Sequence, residues 1–260
     1  MTDSRLEPLS PPPTLLITGA SSGVGASLVH HLQDRYTILA VARRLDTMQE
    51  AFRDYPKVYP YALDLEDVER IPGFVAELEQ KHGFIPYLIN NAGINVRAPV
   101  AELSLDALQR SLSVNALAPF ALLQALLPDM REHGYGRVIN VTSGAPLNCF
   151  PEYGAYSSSK AALNALTVTA AKEHAEADVK INLMSPGPVR SEMAPDAPLD
   201  PSICHATVDY LLNLKRDGPT GGFFWLEYTL PLHPDLSGVR WLEGHAPAAF
   251  LRPDVVSRRD

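Results

Sequence analysis

Residues 14–25, which read TLLITGASSGVG, decide the fold of this chain. The first five are apolar or β-branched, as in a strand that is buried on both faces. The glycines after them permit a tight turn, and the next segment carries Leu28, Val29 and Leu32 at helical spacing. A buried strand, a glycine-rich turn and a helix in this order indicate the first unit of an α/β fold.

The same alternation continues to residue 227. We predict strands over residues 14–18, 36–42, 57–63, 86–90, 137–142, 179–184 and 221–226. We predict helices over residues 25–34, 45–54, 66–82, 104–131, 154–175 and 201–215. Pro119 and Pro128 should kink or break the longest of these helices, and Ser104 should cap it. Mostly apolar strands alternating with helices favour a single Rossmann-like, doubly wound parallel sheet with helices on both faces.

The domain layout follows from length and composition. A chain of 260 residues allows one or two domains. We expect one dinucleotide-binding domain over residues 14–227, a flexible arm over 1–13 that ends in three prolines, and an irregular tail over 228–260. The composition, 46% apolar and 20% charged, is that of a globular protein and excludes a disordered chain, a collagen and a coiled coil.

Charge and hydropathy restrict the partners. The net charge of −8 disfavours nucleic acid, whose backbone an acidic chain repels. No apolar run reaches the roughly 18 residues that span a bilayer, and the N-terminus has no secretory pattern, so we expect no membrane partner and a cytoplasmic protein. The two cysteines, Cys149 and Cys204, form no ligand cluster, so no metal site is predicted. One disulfide remains an alternative, although a reducing compartment fits two cysteines better.

The glycine-rich turn is a candidate phosphate site. Glycine lets the backbone approach a pyrophosphate closely, and the helix after the turn offers free N–H groups and a positive dipole end. The alternative is a turn without a ligand, but its position between the first strand and a helix favours a dinucleotide. The candidate contacts in the turn are Gly19, Ser21, Ser22, Gly23, Val24 and Gly25.

The end of the second strand indicates which dinucleotide binds. Many dinucleotide folds place an acid here against the adenosine ribose, but this chain has Ala42, Arg43 and Arg44. A guanidinium suits a 2′-phosphate, so the pair favours NADP(H) over NAD(H). Arg43 is the stronger candidate because it directly follows the strand. The alternative is that both arginines are solvated cations at a helix start.

A tyrosine and a lysine share one face of a predicted helix. Tyr156 and Lys160 are four positions apart, so the phenol and the ammonium can converge. A nearby ammonium would lower the tyrosine pKa from its usual value near 10 and make the phenol a usable acid. The spacing is common by chance, but Ser143 ends the preceding strand, where loops carry chemistry.

Together, these motifs resemble those of the classical short-chain dehydrogenase/reductase family. TGASSGVG, NNAG at 90–93, Ser143, YSSSK at 156–160 and PGPV at 186–189 follow the family's order and spacing, over residues 14–227. The resemblance implies hydride transfer between a nicotinamide and a carbonyl or alcohol. It implies that Tyr156 exchanges the proton, Ser143 holds the substrate oxygen, Lys160 binds the nicotinamide ribose, and Asn115 holds a water that links Lys160 to solvent.

The resemblance also implies further cofactor contacts. Asp64 would face the adenine with Leu65 beside it, and Val189 and Ser191 would touch the nicotinamide carboxamide. The remaining contacts that it implies are Asn91, Ala92, Gly93, Pro186 and Gly187. Only 34 positions separate Gly187 from Gly221, and residues 197–225 are similar to the carbonyl-reductase branch of the family, which favours NADPH. The C-terminal contact segment differs, so a monomer or a dimer is expected rather than a tetramer.

The substrate pocket is predicted from the loops around Ser143 and Tyr156. Leu147, Phe150, Tyr153 and Met193 would form an apolar wall that suits a hydrophobic ketone or aldehyde. Asn95, Arg97, Asn148 and Arg190 could instead meet a polar or acidic substrate. An NADPH-dependent carbonyl reductase is the leading hypothesis. The alternatives are an NAD-dependent alcohol dehydrogenase and a cofactor sensor without turnover.

Overall fold

Eight strands form one sheet in the computed structural model, which describes residues 12–234. Their order is β3-β2-β1-β4-β5-β6-β7-β8, and all are parallel except β8, which runs antiparallel to β7. The strands are β1 Thr14–Thr18, β2 Thr37–Ala42, β3 Val58–Ala62, β4 Tyr87–Asn90, β5 Gly136–Val141, β6 Val179–Ser185, β7 Phe223–Trp225 and β8 Tyr228–Leu230. The predicted Rossmann-like α/β fold is confirmed.

Helices cover both faces of the sheet. They are α1 Gly23–Leu32, α2 Leu45–Ala51, α3 Ile71–His82, α4 Leu105–Leu112, α5 Ala118–Glu132, α6 Ala145–Asn148, α7 Gly154–Glu173 and α8 His205–Leu212. Residues of α1, α2 and α8 pack in one core with Leu15 and Ile17 of β1. Residues of α3, α5 and α7 pack in a second core with Leu16, because successive side chains of a strand point to opposite faces.

The strand order reverses beside β1. The chain passes from β1 to β2 and β3 on one side, then returns to place β4 on the other side. The loops that leave the carboxyl ends of β1 and β4 therefore diverge and open a crevice, the usual ligand site of such sheets.

The long helix predicted over 104–131 runs from Leu105 to Glu132 and is distorted in its middle. A π-helical turn, Ser113–Leu117, joins α4 to α5. Pro119 is the second residue after this turn, and Pro128 is inside α5. Ser104 caps α4 as predicted and accepts a hydrogen bond from the Ala107 N–H at 3.2 Å. By length and composition residues 105–132 could cross a membrane, but 56% of the most apolar window is buried inside the fold.

Two short elements, α6 and β8, were not predicted. The 3₁₀ turns Val68–Arg70 and Pro201–Cys204 precede α3 and α8 and form the first part of the helices predicted over 66–82 and 201–215. Because β8 pairs with β7, regular structure extends three residues into the segment predicted to be irregular, and one compact unit ends at Leu230. Most of the predicted arm and tail, residues 1–11 and 235–260, lies outside the described residues. Cys149 is exposed and Cys204 is buried, both as free thiols.

Candidate active site

A cavity of about 780 Å³ opens at the carboxyl ends of the strands. It has the size of a cofactor or ligand cleft. The predicted site residues that line it are Gly19, Ser21, Ser22, Gly23, Val24, Arg43, Arg44, Asp64, Leu65, Asn91, Ala92, Gly93, Ser143, Tyr153, Tyr156, Lys160, Pro186, Gly187, Val189, Ser191 and Met193. The structure thus brings most of the predicted residues together. Gly25, Asn115, Leu147 and Phe150 do not line the cavity.

The glycine turn is shaped for close backbone approach. Gly19 and Gly23 have φ values of +68° and +55°, which disfavour any side chain. A Cβ at Gly25 would overlap the carbonyl oxygen of Gly19. Ser22 makes no side-chain capping bond, and the first turn of α1 has no acidic residue. The first N–H groups of α1 are therefore available to an anion.

Thr18, which was not predicted as a site residue, holds the turn against the end of β4. Thr18 is buried, and its hydroxyl accepts hydrogen bonds from the N–H groups of Asn91 and Ala92 at 3.0 and 3.1 Å. The Asn91 amide in turn donates to the carbonyl oxygens of Thr18 and Gly19. These bonds fix the two walls of the crevice to each other. The sequence shows a threonine at the end of the first strand, but its role could not be predicted because its partner Asn91 lies 73 positions away.

Arg44 bridges the mouth of the crevice. Its guanidinium forms a two-pronged ion pair with Glu192, with N···O distances of 2.8 and 2.9 Å, and donates to the Ser21 hydroxyl at 3.1 Å. Arg43 lines the same cavity. Glu192 also lines it and was not predicted, because only the fold brings the loop after β6 to the end of β2.

Ser143, Tyr156 and Lys160 meet on the wall formed by β5 and α7. The Ser143 hydroxyl accepts from the Ala145 N–H at 3.1 Å. Lys160 is buried, and its ammonium donates to the Val141 carbonyl at 2.8 Å. Its Nζ lies 6.0 Å from the centre of the Tyr156 ring. A hydroxyl, a phenol and an ammonium therefore face one end of the cavity.

The pKa values depart from the sequence prediction. Burial raises the pKa of Tyr156 above its ordinary value, and a hydrogen bond with the Ser143 side chain partly offsets this. The prediction that Lys160 lowers it is wrong for this structure, because the ammonium is turned to Val141 and the phenol is desolvated. Burial lowers the pKa of Lys160 to about 8. Lys160 therefore titrates close to physiological pH.

Asn115 stands behind this wall, in the π-helical turn. Its amide oxygen accepts from the Ile94 N–H at 2.8 Å, and its amide nitrogen donates to Ile94 carbonyl and to the Ser159 hydroxyl. A Cβ at Gly93 would come within 3.2 Å of the Asn115 oxygen and 3.5 Å of the Lys160 nitrogen. Asn115 thus ties the loop after β4 to α7 next to Lys160. The water relay implied by the resemblance stays a prediction.

The predicted apolar wall is only partly formed. Tyr153 and Met193 line the cavity, whereas Leu147 and Phe150 are 45% and 50% exposed and lie outside its lining. The unpredicted helix α6 contains Leu147, and its C-cap Cys149, with φ +48°, directly precedes Phe150. Of the polar candidates, Asn95 and Arg97 line the cavity. Asn148 donates to the Gly144 carbonyl, and Arg190 pairs with Asp200.

Comparison with known proteins agrees with this geometry. The model of the short chain dehydrogenase family matches residues 13–201. A dehydrogenase/reductase SDR family protein 7-like from Drosophila melanogaster is 33% identical over 198 residues, 72% of this chain and 60% of that protein. The chain therefore spans less than two thirds of this relative's length.

Two solved structures with 26% sequence identity have the same fold. A metagenomic short-chain oxidoreductase in complex with NADP has a TM-score of 0.74, covering 82% of this chain and 96% of that chain. A 4-hydroxyisoleucine dehydrogenase complexed with NADH and succinate has a TM-score of 0.76, covering 82% and 97%.

Proposed function

Because this chain belongs to the short-chain dehydrogenase family, we propose that it is an NADP(H)-dependent reductase of ketones or aldehydes. One observation carries the proposal: Ser143, Tyr156 and Lys160 line the same cavity as the glycine turn. A dinucleotide held at the turn would extend along the crevice toward these three side chains. We further propose a cytoplasmic location, because two cysteines fit a reducing compartment, and a monomer or homodimer, because the C-terminal contact segment differs from that of the family.

The cofactor end fits NADP(H). The turn supplies free N–H groups for the pyrophosphate, and Asp64 and Leu65 line the cavity where the adenine is expected. Arg43 and Arg44 would hold the 2′-phosphate through charge-assisted bonds. Arg44 already forms an ion pair with the Glu192 carboxylate, so its guanidinium is placed to bind an anion. The NADP complex of the metagenomic oxidoreductase supports this choice.

The chemistry at the other end follows from three side chains. A bound reduced nicotinamide would supply a hydride to the carbonyl carbon. The Ser143 hydroxyl would donate to the substrate oxygen as negative charge develops on it. Tyr156, whose phenol is protonated at neutral pH, would give its proton to that oxygen. Lys160 would stabilise the phenolate that is left.

Replacing Tyr156 by Phe tests the proposal. We expect kcat with a carbonyl substrate to fall by about 10³-fold, because the proton donor is lost. The affinity for NADPH, followed by its fluorescence, should stay within about twofold of the wild type, since the ring remains. Tyr59→Phe is the matched control, because Tyr59 is 40% exposed on the edge strand β3. Unchanged turnover of Tyr156→Phe would refute the assignment.

An NAD-dependent alcohol dehydrogenase is the second candidate. The 4-hydroxyisoleucine dehydrogenase, which is equally similar, was solved with NADH. Measuring kcat/KM with NADPH and NADH on a panel of ketones, aldehydes and alcohols separates the two. We expect NADPH to be preferred. A preference for NADH would select the second candidate, and binding without any turnover would select a cofactor sensor.

A further inference from the structure

The loop after β4 places an arginine next to the reacting end of the cavity. The Arg97 guanidinium carbon lies 4.4 Å from the centre of the Tyr153 ring. The Tyr153 ring meets the Tyr156 ring edge-on, with 6.3 Å between their centres. Arg97, Tyr153 and Tyr156 all line the cavity. One aromatic ring therefore separates the guanidinium from the phenol that would donate the proton.

Backbone contacts hold the loop beside Arg97 in place. The N–H of the next residue, Ala98, donates to the Glu152 carbonyl at 3.1 Å. Ala98 also forms an isolated parallel β-bridge with Tyr153. A guanidinium stacked on a ring keeps its five N–H donors free in its own plane. These contacts hold the loop at Ala98, and Arg97, an exposed residue, lies over the Tyr153 ring with N–H groups that can bind an anion.

The charge of Arg97 is not neutralised by an ion pair. Two other cavity arginines, Arg44 and Arg110, pair with glutamates, the closest N···O distances being 2.8 and 2.7 Å. Within residues 12–234, Arg97 forms no ion pair, and Asp196, which lines the same cavity, is not bonded to it. An anionic ligand would be the first ion-pair partner of this guanidinium among the described residues.

A second polar group marks the same end of the cavity. The Asn95 side-chain oxygen is buried and has no hydrogen-bond partner among the described residues. This oxygen is an acceptor, so a hydroxyl or amide N–H of a bound ligand could satisfy it, whereas a carboxylate could not; the carboxylate site rests on Arg97 alone. Leu147 and Phe150, which would have made this end apolar, lie outside the lining.

We propose that the substrate is an oxo acid, whose carboxylate binds Arg97 while its carbonyl meets Ser143 and Tyr156. This inference rests on the proposed reduction. In that step the carbonyl carbon gains a hydride from the reduced nicotinamide, and the C=O π bond breaks. The oxygen takes the Tyr156 proton, which gives a hydroxy acid and leaves the nicotinamide oxidised.

Matched substrates test the carboxylate. The kcat/KM is measured for oxo acids and for their methyl esters, which keep the carbonyl and lose the charge. We expect the wild type to prefer the acids by about tenfold or more, as for a charge-assisted pair. Arg97→Gln should lower kcat/KM for the acids by about 10- to 100-fold and leave the esters within about twofold. Arg53→Gln, at an exposed arginine of the segment after α2, is the control.

Equal losses on acids and esters in Arg97→Gln, or a wild-type preference for the esters, would overturn the inference. A binding measurement separates it from the proposed function. Glutarate, which has two carboxylates and no ketone, is titrated calorimetrically into the wild type and Arg97→Gln, and we expect binding at least about tenfold weaker in the variant. Equal glutarate affinities overturn the carboxylate site whatever the activity. Arg97-dependent binding without any carbonyl reduction keeps the site and refutes the reductase.

Discussion

The two ends of the crevice differ in what forms their walls: main chain at one end and side chains at the other. At the cofactor end the walls are main chain: Gly25 packs against the Gly19 carbonyl, and the Thr18 hydroxyl binds two N–H groups of the next wall. At the substrate end the walls are side chains on loops, such as Met193, which is 46% exposed, and Arg97. The shape of the end at the glycine turn is therefore fixed by packing, whereas in the proposed function substrate recognition would depend on a few side chains that can be exchanged.

The largest expected effect breaks the main-chain wall. In Gly25→Ala the new Cβ would overlap the Gly19 carbonyl oxygen, so the turn must shift. We expect the Kd for NADPH to rise by about 100-fold or more, roughly 3 kcal/mol, measured by fluorescence titration. Gly73→Ala in α3 is the control, because a Cβ there meets nothing within 4 Å. It should leave the Kd unchanged and stabilise the fold by about 0.5–1 kcal/mol. Normal cofactor binding by Gly25→Ala would contradict the comparison.

The next effect tests the cost of burying a cation at the reacting end. Burial lowers the pKa of Lys160 from 10.5 to about 8. Between these values the unfolded chain holds the proton and the folded chain releases it, so the free energy of unfolding should rise with pH. Relative to Lys160→Met, the wild type should gain up to about 3 kcal/mol between pH 7 and 10. Urea unfolding of both proteins at several pH values measures this. If the free energy of unfolding of the two proteins changed with pH in the same way, burial would not lower the pKa of Lys160.

A smaller effect concerns the arginines at the end of β2. Arg43→Ala and Arg44→Ala should each raise the Kd for NADPH by about tenfold, as for one charge-assisted bond, with little change for NADH. Both affinities are measured by titration. Equal losses for the two cofactors would mean that these side chains do not contact the 2′-phosphate. A larger loss in Arg44→Ala than in Arg43→Ala would reverse the order favoured by the sequence.

The smallest effect comes from the bridge across the crevice. Glu192→Gln frees Arg44 from an exposed ion pair, which is worth at most about 1 kcal/mol. The Kd for NADPH should therefore fall by about two- to fivefold at low salt, and by less at high salt, where the pair is screened. Glu50→Gln, at an exposed ion pair with Arg53, is the control. Weaker NADPH binding in Glu192→Gln would show that the carboxylate supports the arginine rather than competing for it.

The features of the site that could be predicted from the sequence are those whose residues lie close together along the chain. The glycine turn and the pair Tyr156 and Lys160 each lie within eight residues, and local geometry alone places their groups. The role of Thr18 and the bridge from Glu192 could not be predicted, because each depends on a partner far along the chain. The short helix α6, which contains Leu147 and ends just before Phe150, could not be predicted because four residues give too little periodicity. The Tyr156 pKa was predicted in the wrong direction because spacing does not report burial.

The Arg44–Glu192 bridge has a consequence for anyone who redesigns this protein. Glu192 lies next to Met193, so the segment that reaches across to Arg44 also forms part of the substrate wall. If a 2′-phosphate took the place of the Glu192 carboxylate at Arg44, this segment would lose that ion pair, and any resulting coupling between the two ligands would be reciprocal. Swapping the arginine to change the preferred nucleotide would therefore also alter how substrates are held, and the two specificities would have to be engineered together.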